Sequence, residues 1–188
     1  MGIFSFLFGG KKNAHVETAP VEESYVEAAP AESTAIASED SVYEEFAALH
    51  RKATEFKDAR QWDEAIACLR KAKALVGPDG CSVQRLCRLP LFLQQAGHFD
   101  EALAEFQELL DNAEAANQDA FGHQRKNVRE KFLHLRLSEI YGHMMTACKR
   151  QKRSDLLELY REKASFHYGK FTRMKAAQEA AEKRKLKR

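Results

Sequence analysis

The chain has 188 residues, 44% of them hydrophobic, with 30 basic and 28 acidic side chains and a formal net charge of +2. That length holds one domain with a real core plus a tail, and no stretch approaches the roughly 18–20 apolar residues a membrane span requires. Cys68, Cys81, Cys87 and Cys148 form neither a CxxC pair nor metal-type spacing with histidine, which speaks for reduced thiols in a cytoplasmic protein and against a disulfide framework.

The balanced total hides an asymmetry. Residues 1–40 carry 2 basic and 7 acidic side chains, residues 41–117 carry 9 and 13, and residues 118–188 carry 19 and 8. Residues 1–10 read MGIFSFLFGG, a short apolar docking peptide built on Ile3, Phe4, Phe6, Leu7 and Phe8. Its lysines follow the apolar run and no small-residue cleavage site comes after, so it does not read as a secretory signal. Phe6 stands where a myristoylation motif needs Ser or Thr. Burying such side chains at about 1.5–3 kcal/mol each suits a partner's pocket or weak contact with a membrane surface. Residues 11–40 are rich in Ala, Glu, Pro, Val, Ser and Thr without any period, and are expected to be a disordered acidic linker.

Order is expected from Ser41. SVYE at 41–44 offers a capping box, with Ser41 capping and Glu44 reaching back. Phe46, Leu49, Ala53 and Phe56 then recur on one helix face. A break near Asp58–Gln61 precedes a second helix through Trp62, Ala65, Ile66, Leu69 and Ala72, which GPDG at 77–80 closes. A third helix is predicted through Leu86, Leu89 and Leu93 to Gly97. A fourth uses Phe99, Ala102, Leu103, Phe106 and Leu109. Residues 118–150 form one long amphipathic pattern, with Phe121, Val128, Phe132 and Leu135 on one face and Leu133, Leu137, Ile140, Met144 and Cys148 on the next. After KRQKRSD another long helix carries Leu156, Tyr160, Ala164, His167, Phe171 and Met174. No β alternation is present, so the fold class is all-α.

One pattern occurs twice. WDEAI at 62–66 and FDEAL at 99–103 lie 37 residues apart, and in that register Leu69 matches Phe106, Leu49 matches Leu86 and Phe56 matches Leu93. The doubled unit resembles the tetratricopeptide repeat, a helix-turn-helix unit of about 34 residues. Ala53, Ala65 and Ala72 occupy the small positions where helices of that family cross closely, while Pro90 and Leu109 depart from the pattern. An interior proline kinks a helix at about 3 kcal/mol. The resemblance implies two tetratricopeptide-like hairpins over 41–117, stacked as an α-solenoid and capped by a long basic hairpin over 118–188.

The resemblance also implies a groove, lined by the first helix of each unit, that holds a partner's peptide or helix. Its positions here are His50, Thr54 and Lys57 in the first copy and Gln84, Arg88, Leu91 and Gln94 in the second, with Ala47 and Cys87 alongside. His50 and Thr54 stand where a family carboxylate clamp would have lysine and asparagine. A non-catalytic adaptor or scaffold for another protein is therefore expected, with no cofactor and no metal. HExxH, Gly-rich phosphate loops and serine elbows are absent, and His143 with His167 across the hairpin is the nearest approach to a metal pair. Two alternatives stay open. Arg125, Lys126, Arg129 and Arg136, with Lys149, Arg150, Lys152 and Arg153, form a basic patch suited to nucleic-acid phosphates. The apolar peptide suits a peripheral adaptor at a membrane.

Overall fold

The computed structural model describes residues 39–76 and 81–186, all within the compact unit Ala37–Arg188. The apolar peptide, the acidic linker up to residue 38 and the GPDG segment lie outside the described residues. Every regular element among those described is a helix. They are α1 (Glu39–Asp58), α2 (Trp62–Val76), α3 (Val83–Leu86), α4 (Arg88–Gln95), α5 (Phe99–Asp111), α6 (Ala113–Phe121), α7 (Lys126–Arg150) and α8 (Ser154–Lys185).

Three helical hairpins, α1/α2, α4/α5 and α7/α8, turn in the same way. Arg60 (φ 61°), Gly97 (φ 94°) and Lys152 (φ 57°) each adopt the left-handed conformation just past a helix end. Around them the same two hydrogen bonds recur. Arg60 N donates to Lys57 O and Gln61 N to Phe56 O; Gly97 N donates to Gln94 O and His98 N to Leu93 O; Lys152 N donates to Lys149 O and Arg153 N to Cys148 O. This is the Schellman stop, which satisfies the last carbonyls of a helix and reverses the chain. The sequence doubles its aromatic-Asp-Glu-Ala pattern, but this turn is made three times.

Small and large residues interlock in the core. Ala53, Ala65, Ala72 and Ala102 are completely buried at helix crossings, where a methyl group lets two backbones approach. Trp62 packs edge-on against Phe92, with ring centroids 6.2 Å apart. One core cluster joins α1, α2, α4 and α5 around Leu69, Phe92 and Leu93. A second joins α3, α5 and α7 around Cys87, Phe106, Ile140 and Met144. Cys68, Cys87 and Cys148 are buried free thiols, and burial pushes Cys87 up to about 12.

Several boundaries differ from expectation. Glu39 already opens α1, so Ser41 lies within the helix and is not its cap. Pro90 does not kink a continuous helix: the helix breaks at Cys87, which places Pro90 in the first turn of α4, where no backbone N–H is required. Residues 118–150 are not one helix either. α6 ends at Phe121 and α7 starts at Lys126, so the 117/118 boundary falls inside α6. Phe121 and Phe132, assigned to one helix face, instead stack across that turn at 4.4 Å. Along α8 no residue is fully buried, because this helix packs chiefly on α7 and turns its other faces outward.

Candidate functional site

The α1 and α3–α4 helices bring His50, Thr54 and Arg88 together. Arg88 Nη1 donates to His50 Nδ1 (2.8 Å) and to His50 O (3.1 Å), and Nη2 donates to Thr54 Oγ1 (2.7 Å). Thr54 Oγ1 in turn donates to His50 O at 3.1 Å. A guanidinium can only donate, so Nδ1 must accept and His50 is the neutral Nε2–H tautomer. Burial, then Arg88, then Arg85 lower its pKa from 6.5 to about 4. Burial first and Arg85 second also lower Arg88.

These groups line an open cleft of about 240 Å³, completed by Ala47, Arg51 and Arg85. Arg85 lies over the Phe46 ring at 5.5 Å and Arg88 over Phe92 at 5.2 Å. The cleft thus holds three arginines, and none of them forms an ion pair with a carboxylate among the described residues.

The other predicted groove residues scatter. Lys57 pairs with Asp58 at 2.9 Å and borders Phe92 at 6.0 Å. Gln84 is exposed on α3. Leu91 packs against the second core cluster. Gln94 is only 6% exposed. Its Oε1 accepts from Arg150 Nη1 (3.5 Å) and its backbone oxygen from Gln151 Nε2 (3.4 Å). Gln94 is therefore corrected from groove to interior, and the half-buried Leu91 faces the second core cluster instead of the groove, because α7 packs on that face of α4.

Sequence reasoning missed Arg51 and Arg85. A signal was available: residues 80–99 contain no Asp or Glu, nor do residues 46–54, in a region otherwise rich in acids. One acid-free stretch on α1 and another across α3 and α4 leave their arginines without local partners.

The proposed basic patch is not one surface. Lys126 and Arg150 stand 24 residues apart on α7, about 36 Å at 1.5 Å per residue. At one end, Lys126 sits 3.8 Å from Glu130 and Arg129 Nη1 donates to Gly122 O. Arg125 and Lys185 line a groove of about 390 Å³ there with Val128, Met174 and Ala177. Arg136 is half-buried in mid-helix, beside Glu139. At the other end Lys149, Arg150 and Lys152 are exposed. Arg153 forks onto Asp155 at 3.1 and 2.8 Å, and this hydrogen bond, first among the causes, pulls the Asp155 carboxyl down to about 2.

Across the α7/α8 seam it is His134, not His143, that meets His167, with Nδ1 atoms 2.9 Å apart. Burial lowers both, aided at His134 by Lys170 and at His167 by His134 and Lys163. No group of three or more potential metal ligands occurs among the described residues, and no helix there is long and apolar enough to cross a membrane. The five apolar residues Ile3, Phe4, Phe6, Leu7 and Phe8 lie outside the described residues. Compared with known proteins, the chain matches no family model, no curated protein and no solved structure.

Proposed function

We propose that the chain is a non-catalytic, tetratricopeptide-like adaptor of the cytoplasm that holds a segment of another protein on the face shared by α1 and α3–α4. The arginine cleft carries this reading: three guanidiniums without a carboxylate partner among the described residues suit a ligand that supplies the opposite charge. The alanine-against-aromatic interlock and the thrice-made turn support the repeat assignment. A photo-crosslinking residue placed at exposed Gln84, the sequence neighbour of cleft-lining Arg85, should trap a discrete partner in cells, and one at exposed Ala104 on α5 should not. Equal trapping at both positions, or at neither, would refute the face assignment.

A second reading has one observation in its favour. Because α8 runs back along α7, Lys185 lines one groove with Arg125 at the end of the hairpin, and Lys183, Arg184 and Lys126 adjoin them in sequence. Nucleic acid would bind there if anywhere. A gel shift at about 50 mM salt tests it: a shift abolished by neutralising those five residues supports it, and no shift rejects it.

A further inference from the structure

We propose that the α1/α3–α4 cleft binds a phosphate dianion, carried on a phosphorylated side chain of the partner. The inference rests on that cleft being the partner's site and goes further by naming the recognised group.

Charge balance comes first. Arg51, Arg85 and Arg88 bring three positive charges to one cleft, and His50 adds none because its Nδ1 accepts from Arg88. Among the described residues, no carboxylate forms an ion pair with any of the three arginines. A peptide carboxylate would return one negative charge. A phosphomonoester returns nearly two, on three acceptor oxygens.

Preorganisation comes second. Arg88 is bonded to α1 through His50 and Thr54 and lies on Phe92, while Arg85 lies on Phe46. Of the five N–H donors of a guanidinium, Arg88 uses two on Nη1 and one on Nη2. Its Nε–H and one Nη2–H remain for a ligand. Arginines already held in place lose little side-chain freedom on binding, which favours affinity for a planar-fork acceptor. Size comes third: a cleft of about 240 Å³ suits one phosphoryl group and its linking atoms better than an extended nucleic-acid backbone.

The test uses the full chain and three probes at constant ionic strength: N-acetyl-phosphothreonine amide, N-acetyl-glutamate amide and inorganic phosphate. Nitrogen–proton spectra of the arginine Nε–H groups report binding at each guanidinium. Phosphothreonine should shift Arg51, Arg85 and Arg88 saturably and bind about tenfold or more tightly than glutamate. Arg51→Ala and Arg85→Ala, both at exposed residues, should each weaken it about tenfold with the helical circular dichroism unchanged. Equal affinity for glutamate, shifts unaffected by either variant, or tighter binding of inorganic phosphate than of the phosphothreonine probe would each overturn the proposal. If Gln84 still traps a partner while phosphate fails, only this inference falls; failure of trapping overturns the partner site itself.

Discussion

The three hairpin turns set up a reciprocal stability experiment. Arg60 and Lys152 hold left-handed backbone at φ 61° and 57°, near the ideal αL value, whereas Gly97 lies further out at φ 94°. An L side chain in that region costs about 1–2 kcal/mol, offset in part by the greater entropy glycine loses on folding. A Cβ built on Gly97 meets nothing within 4 Å, so any cost of Gly97→Ala is backbone strain and not a clash. Gly97→Ala should therefore destabilise by about 1–2 kcal/mol, and Arg60→Gly and Lys152→Gly should each stabilise by about 0.5–1 kcal/mol. For a unit of this size each kcal/mol moves Tm by about 2–4 °C. Denaturant titrations followed at 222 nm give the free energies directly, provided the m-value is unchanged. A neutral Gly97→Ala together with a destabilising Arg60→Gly would refute the common-turn account.

Acid should loosen the cleft. His50 has a folded pKa of about 4, below its ordinary 6.5, so its contribution is complete above pH 6.5 and is lost as pH falls toward 4. Linkage sets the loss by pH 5 at about 2 kcal/mol as an upper figure, and about 1 kcal/mol once solvent in the open cleft is allowed for. His50→Gln should flatten that part of the stability–pH curve, and an unchanged curve would contradict the buried neutral imidazole. Phe106, completely buried in the second core cluster, should cost about 3–5 kcal/mol on mutation to alanine, measured by denaturant titration. Ala65→Leu, at a crossing with no room, should cost about 1–3 kcal/mol by the same measurement. His134→Leu combined with His167→Leu should raise stability more at pH 5.5 than at pH 7.5, because both imidazoles titrate low in the folded chain. A gain independent of pH would show that the pair does not titrate as its burial implies.

The positions of α2, α4, α5 and α8 were legible because amphipathic period and punctuation agree there. Gly97 and the acid pair after each of the first two turns announce a reversal, and Trp62 and Phe99 recur at equal depth in their units. Where signals were weak, expectation slipped. Phe121 and Phe132 share a helical period, yet Gly122 and the following turn separate them. Ser41 has the residue types of a cap, yet the helix begins two residues earlier. The reversal at KRQKRSD was expected, but its left-handed backbone at Lys152 was not, because side-chain identity reports left-handed backbone only when glycine or asparagine is used.

Residue order alone determined the helical class, the doubled interlock and the electrical polarity between the two ends, since these depend on periods and counts along a chain. Only the folded arrangement decided which charges meet. It buried Gln94 and turned Leu91 toward the core beneath α7, spread the basic residues along one long helix, and set Arg51 and Arg85 beside Arg88 across three helices. Electrostatic interactions act through space over a few ångströms, and neighbours at that range are chosen by how helices pack rather than by their separation in sequence.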